Sequence, residues 1–498
     1  MRRFISSSGL AGASTVRVLI SIVAALVAGS AAAASAATLC VSADGKVPPG
    51  LAKKMGCSPT VYTTIGAAFI PAAPGDTVFV LHGTYKEDVT IPGDDTGITL
   101  QGQNPGNTII DATGKQNGIF DQASGLTIDG FTIENAEHEG ILIEGPAATC
   151  PRPTTPPVPC TAGAPEITGV IISDNFVIDN DKALTPGASG PSCPAVGTVP
   201  PAPAFEQFDC GEGIHLDGVA FSTVTNNRIK RNAGGVLLTD ETNANHNNLV
   251  SGNIAKDNSV QGVADCGFTL PSHPPNGSPA NIGDLSFGVF NDTVANNLSE
   301  GNDFGTGVFT PTPGTASYGH LVVNNQLINN ASPGVGFHSH APGQKNGRTS
   351  IIGNLIEGNG PDPDVDATGD GPAAPTGIDV YADPHALPVN NVNIVGNTIR
   401  KEGNDIWVGA GPAGSGWSAC ASLSLTAPCY IVTAHLNDLE KGVGVNNAGN
   451  SGASPDDVLV DATKNFWGCA KGPGASGCAS VTGNVTTAPF LQRPSTVH

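Results

Sequence analysis

Leu321-Val-Val-Asn-Asn-Gln-Leu-Ile-Asn-Asn330 and, one interval later, Ser350-Ile-Ile-Gly-Asn-Leu-Ile-Glu-Gly-Asn359 repeat one pattern: Asn, four residues, Asn, with apolar residues such as Ile328 and Ile356 between. The same pair recurs as Asn175/Asn180, Asn227/Asn232, Asn253/Asn258 and Asn297/Asn302, with Gly130/Asn135 and Asn397 in weaker form. Internal repetition outranks every other fold signal. The intervals run from 26 to 52 residues, as expected when each coil carries its own insertion.

A second motif starts at Gly and alternates: Gly140-Ile-Leu-Ile-Glu144, Gly213-Ile-His-Leu-Asp217, Gly235-Val-Leu-Leu-Thr239, Gly267-Phe-Thr-Leu-Pro271, Gly336-Phe-His-Ser-His340 and Gly377-Ile-Asp-Val-Tyr381. Period two sends one set of side chains inward and the other outward. Asn tolerates a left-handed turn, and stacked Asn side chains hydrogen-bond from coil to coil. The two motifs predict an all-β, parallel β-solenoid built from short strands and Asn-rich turns.

Gly and Pro, 65 and 40 of 498 residues, reach the level at which disorder competes, but the alternating β-branched runs argue against it. With 22 Lys+Arg against 43 Asp+Glu the chain is acidic, formally −21, and is repelled by nucleic-acid phosphates and anionic lipid. Neutral sugars, metal cations and protein surfaces remain open as partners, and the expectation is a monomeric chain with no nucleic acid and no membrane span. Arg2, Arg3 and Arg17, the apolar run Val18 to Val27 and the small residues Ala34-Ser-Ala-Ala37 predict a cleaved export peptide, residues 1–37. The product is expected in the periplasm, at the cell surface or in the medium. Near-neighbour cysteines predict five disulfides in that oxidising setting, Cys40/Cys57, Cys150/Cys160, Cys193/Cys210, Cys420/Cys429 and Cys469/Cys478, with Cys266 left over.

Thr64-Ile-Gly-Ala-Ala-Phe, Pro74-Gly-Asp-Thr-Val-Phe-Val and His82-Gly-Thr-Tyr-Lys-Glu-Asp-Val-Thr-Ile, with Asn465-Phe-Trp-Gly and Gly472-Pro-Gly near the other end, resemble the entry and closing motifs of secreted right-handed parallel β-helix proteins of the pectin-lyase-like superfamily. The resemblance implies one domain over residues 38–498: a helical cap and first coils (61–135), central coils with insertions (136–464) and a closing motif (465–498). Pro-rich stretches at Cys150 to Pro165, Thr185 to Phe205, Pro271 to Pro279 and Pro361 to Pro375 lack alternation and read as loops leaving the coil.

Outward residues of successive coils stack about 4.8 Å apart. Aligning the Gly-led strands places His338 beside Asp379 and His340 beside Tyr381 on an exposed sheet face, with Phe309 on one flank and Trp407 on the other. His338, His340, Asp379 and Tyr381 are the catalytic candidates, because His and Tyr exchange protons and Asp orients His or holds a cation. Aromatic flanks suit sugar rings. Lys345, Arg348 and His273 are candidate substrate-binding residues around this patch. Asp362, Asp364, Asp366 and Asp370 space carboxylates like the start of a calcium loop, but the sixth-place Gly and twelfth-place Glu of an EF-hand are missing, so an irregular Ca²⁺ site is expected.

Tyr381-Ala-Asp383-Pro384-His385 resembles the Tyr and Asp-Pro-His constellation of alginate C5-epimerases, which adds His385 to the binding set. The spacing between Tyr and Asp departs by one residue, a shift that turns a strand's side chains to the opposite face. The implied chemistry is C5 proton abstraction on a uronate polymer, by a lyase or an epimerase. The alternative is a non-catalytic β-helix that binds glycan or protein or serves a structural role. A lesser patch, Asp209, Glu212, His215 and Asp217 with Glu144, offers carboxylates for hydrolysis or a cation, without an aromatic or basic partner.

Overall fold

The computed structural model describes residues 36–149, 161–183, 211–258, 266–274, 287–311, 314–340, 345–362, 371–382, 389–409, 430–440, 442–448 and 459–495. Three of the predicted cysteine pairs, most of the Pro-rich stretches, and Asp209, Asp364, Asp366, Asp370 and His385 lie outside them.

One coil explains the rest. Leu321–Val323 lies in a first sheet, Gln326–Ile328 in a second, Val335–Ser339 in a third and Lys345–Gly347 in a fourth, and Ser350–Ile352 then returns to pair in parallel with Leu321–Val323. Among the described residues the four sheets hold 15, 11, 12 and 6 strands, and each strand's neighbours come from adjacent coils. The fold is the expected right-handed parallel β-helix. Val322, Leu327, Val335, Phe337, Ile351 and Ile356 point into a core continuous along the described coils.

The Asn pairs do what their stacking predicts. Asn175, Asn227, Asn253, Asn297, Asn325, Asn354, Asn397, Asn437 and Asn465 form one buried ladder, each Nδ2 donating to the next Oδ1 at 2.9–3.1 Å. A second ladder runs Asn180, Asn232, Asn258, Asn302, Asn330, Asn359 and ends on the carboxylate of Glu402. The left-handed residue is not the ladder Asn but the one before it: Asn296 (φ 57°), Asn324 (56°) and Asn329 (53°) turn the chain, and Asn297, Asn325 and Asn330 then bond. The coil packing also explains the glycines. A Cβ at Gly140 or Gly334 would strike the side chain of Val177 or Ile356, and would crowd Nδ2 of Asn180 or Asn359 at 2.9–3.0 Å.

Near the start, Thr64 caps the helix Ile65–Phe69 by accepting the Ala67 amide at 3.3 Å, and Glu87 accepts those of Ile65 and Gly66 at 2.8 and 3.0 Å. Ile65, Ala68 and Phe69 bury against the first coils. Towards the other end Asn465 completes its ladder and Trp467 is fully buried. Cys40–Cys57 and Cys469–Cys478 are bonded as predicted, and Cys266 is buried.

Candidate active site

Four adjacent strands of the third sheet, Thr306–Thr310, Val335–Ser339, Thr376–Ala382 and Asn404–Gly409, build the patch. Val308, Phe337, Val380 and Val408 take the inward places, so Phe309, His338, Tyr381 and Trp407 alternate to the other side. The register differs from the sequence alignment by two residues. His338 pairs with Tyr381 and Gly336 with Asp379, while Phe309 opposite His338 and Asp379 opposite Trp407 stand as expected. The shift arises because two of these strands hold one glycine and have another directly before them. Gly305 and Gly334 continue the ladder-contacting column, whereas a Cβ at Gly336 would strike the Phe304 ring at 2.7 Å.

That second glycine also explains why the patch is not the exposed sheet face the alternation predicts. Phe304 lies over Gly336, Phe309 over Gly307 and Trp407 over Gly409, so rings fold along the sheet instead of projecting from it. His338 is 4% exposed, Tyr381 2%, Trp407 7% and Asp379 0%. Phe309 and His340 are half-buried and give the cluster its partly exposed edge.

His338 is the hub. Its ring centroid lies 5.0 Å from that of Phe309, 5.1 Å from His340, 5.5 Å from Phe304 and 5.6 Å from Tyr381. Tyr381 in turn lies 6.0 Å from His340 and 6.1 Å from Trp407. Nε2 of His338 sits 2.6 Å from Oδ2 of Asp362 and 3.6 Å from Oδ2 of Asp379. Burial pulls the imidazole pKa down, but Asp362 and Asp379 outweigh it and hold His338 well above the ordinary imidazole value. Burial likewise pushes Asp379 well above the carboxylate range, against the pull of His338. Asp362, read from the sequence as a calcium-loop residue, is thus the direct partner of the candidate catalytic histidine.

The other predicted residues disperse. His273 is half-buried, and its amide donates to Asp240 at 2.5 Å, two coils away. Burial raises the Asp240 carboxyl to about 6, with hydrogen bonds from Ser272 and the His273 and Gly288 amides opposing. Lys345 and Arg348 are exposed at opposite ends of the fourth-sheet segment 345–348, not on the third sheet. Between them Asn346 donates to the carbonyls of His338 and Val308 at 2.9 and 3.0 Å, a positioning contact that no motif announced. Phe304 was missed as well, since it precedes its strand and escapes the alternation.

Among the described residues, two buried groups of His and carboxylates are close enough to hold a divalent ion: His338, Asp362 and Asp379 here, and Glu139, Glu212 and His215 nearer the N-terminal coils. One imidazole nitrogen and two carboxylates fall short of the six to eight oxygens that Ca²⁺ takes. The described part of the first group therefore does not by itself fit calcium.

No protein-family model matches the chain. No curated protein matches it. Among solved structures, the A-module of an Azotobacter vinelandii mannuronan C-5 epimerase is 13% identical with a TM-score of 0.45, over 86% of this chain and 92% of that one. An alginate lyase is 12% identical with a TM-score of 0.46, over 92% and 88%. The catalytic domain of a GH87 α-1,3-glucanase is 11% identical with a TM-score of 0.48, over 85% and 66%. The likeness is one of fold.

Proposed function

We propose that the chain is an exported β-helix enzyme of the pectin-lyase-like kind that acts on an acidic polysaccharide by removing the C5 proton of a uronate residue. The observation that carries this reading is the ring cluster of His338, His340 and Tyr381, with His338 held as a cation by Asp362 at 2.6 Å.

Abstraction of a proton beside a carboxylate builds negative charge on that carboxylate, and a fixed, buried cation lowers the barrier. His338 suits that role and not the role of base, since its proton is already committed to Asp362. His340 and Tyr381 then divide the proton transfers. One takes the C5 proton. The other returns a proton to C5 from the opposite face in epimerisation, or protonates the departing 4-oxygen as C4–O breaks and the C4–C5 double bond forms in elimination. The half-buried Phe309 offers a ring edge to a sugar at the partly exposed side. The steps above do not depend on calcium, which the described carboxylates alone do not fit.

A second reading, a β-helix that binds glycan or protein without turnover, draws on the burial of Tyr381 and Trp407. Deuterium incorporation at C5, followed by NMR in D₂O over a panel of uronate polymers with and without Ca²⁺, separates the two. Exchange or an unsaturated product, abolished in Tyr381→Phe, supports the enzyme. A blank panel with folded protein removes it.

A further inference from the structure

The second His-carboxylate group lies on the same sheet, separated from the first by three strands. Strand Ile141–Glu144 pairs with Glu212–Asp217, Ile141 opposite Ile214 and Leu142 opposite His215. Glu139 and Glu212 each stand two residues ahead of that Ile pair, directly before a strand-opening glycine, and so occupy equivalent places on adjacent coils. Their carboxylates and a ring nitrogen of His215 lie within 4.8 Å of one another, at exposures of 3%, 1% and 1%.

What singles this group out is how His215 is held. Its Nε2 is 2.8 Å from Oγ1 of Thr239, and that hydroxyl donates to Oδ1 of Asp217 at 3.4 Å. Asp217 Oδ1 also accepts the amides of Glu241 and Thr242 at 2.8 and 3.0 Å, so it is fixed as an acceptor. The Thr239 proton therefore points to Asp217 and its oxygen receives Nε2–H, which makes Nδ1 the nitrogen that a metal would take. A histidine whose N–H is tied to a hydroxyl–carboxylate relay is oriented as metal-bound histidines are. Two buried carboxylates supply the charge that a divalent cation cancels. Mixed nitrogen and oxygen donors, few in number, suit Zn²⁺ over Ca²⁺.

We propose that Glu139, Glu212 and His215 bind one zinc ion, through Nδ1 of His215 and an oxygen from each glutamate, with Thr239 and Asp217 as positioning residues. The ion joins two coils that are neighbours in space but flank the widest sequence gap between paired strands of this sheet, so it acts as a clip where a coil is hardest to close. It is independent of the turnover proposed above.

The test is zinc binding by the full chain after chelator treatment, measured by calorimetry and metal analysis. Asp362→Asn reports on the first group, Glu212→Gln and His215→Gln on the second, and Thr239→Val on the relay. The expected result is at least about a 100-fold loss of zinc affinity in Glu212→Gln and His215→Gln, a loss of about 10- to 100-fold in Thr239→Val, and parent-like affinity for one ion in Asp362→Asn. Cobalt substitution of the unaltered chain should give visible absorption bands of nitrogen–oxygen ligation, a readout that needs no variant to fold. Zinc retained in both ligand variants, zinc lost only in Asp362→Asn, or no zinc or cobalt bound by the parent chain would each overturn the site.

Discussion

The two His-carboxylate groups share a sheet, a burial class and a set of residue types, yet they are wired differently. His338 gives Nε2 to a carboxylate, Asp362, at 2.6 Å and becomes the group's own cation. His215 gives Nε2–H to a hydroxyl, Thr239, at 2.8 Å, and that hydroxyl passes the bond on to Asp217. The neighbours differ as well: Phe304, Phe309, Tyr381 and Trp407 surround the first, whereas Leu142 and Leu237 flank His215 on its paired strands. A protonated histidine among aromatic rings suits an anionic sugar, and a histidine fixed by a hydroxyl between aliphatic strands suits a buried metal. Residue composition does not assign the role; the partner of one ring nitrogen does.

The comparison breaks most directly at Tyr381. Tyr381→Phe removes a proton carrier and keeps the ring, so C5 exchange should fall by about 10²- to 10⁴-fold, the usual worth of general acid–base catalysis, while the zinc content of the second group stays that of the unaltered chain. Equal turnover in Tyr381→Phe and parent on a responsive polymer would strip the first group of its chemistry and leave the two groups alike.

A smaller effect, on stability, comes from the second Asn ladder, which passes beside both groups. Asn232 accepts the Asn180 amide at 2.9 Å and donates to the Val177 carbonyl at 3.1 Å, and Asn359 accepts the Asn330 amide at 3.2 Å and donates to the Leu327 carbonyl at 3.0 Å. Replacing either by Ala orphans a buried donor and a buried acceptor, for a loss of roughly 2–5 kcal/mol by denaturant titration. Asn232 packs under Gly213 of the zinc group, and Asn359 under Gly334 of the ring cluster. Asn232→Ala should therefore weaken zinc binding more than turnover, and Asn359→Ala the reverse. Identical profiles would mean that the ladder stiffens the whole solenoid without local assignment.

The ladder was legible in the sequence because its Asn–x₄–Asn spacing survives irregular insertions, and it carried the fold with it. The same alternation brought Phe309, His338, Tyr381 and Trp407 to one patch. It failed where two residues of one type do different work: Gly334 clears Ile356 and its neighbouring coil and Gly336 clears a phenyl ring, and nothing in the string distinguishes them. Burial of the patch follows from those rings lying down, a tertiary fact. Asp362 was visible as an acid but not as the partner of His338, since it sits in an insertion outside the strand register. Glu139 was overlooked, although the dipeptides Glu139-Gly140 and Glu212-Gly213 repeat before paired strands and were the available signal.

The last contrast separates the flanks of the two groups by pH. Asp121, opposite Ile143 on the strand beside the zinc group, accepts the Ala123 amide at 2.9 Å with Oδ1, while its Oδ2 is buried without a hydrogen-bond partner. Burial pushes its carboxyl to about 8, with the Ala123 amide opposing and Asp95 adding. Glu402, which ends the ladder beside the ring cluster, is raised to about 7, again by burial first, against the hydrogen bonds from Asn359. Both folded values lie above the unfolded ones, so the folded state binds the extra proton and stability falls as pH rises. For Asp121 the stabilisation of the protonated form is complete below about pH 4 and gone above about pH 8; for Glu402 the window closes near pH 7. Asn at position 121 keeps the Ala123 bond and cannot ionise. The unfolding midpoints of Asp121→Asn and the parent should therefore coincide near pH 4 and separate in favour of the variant up to pH 8, whereas those of Glu402→Gln should stop separating near pH 7. Parallel curves for parent and Asp121→Asn would mean that Asp121 is ionised in the fold, and the contrast between the two flanks would disappear.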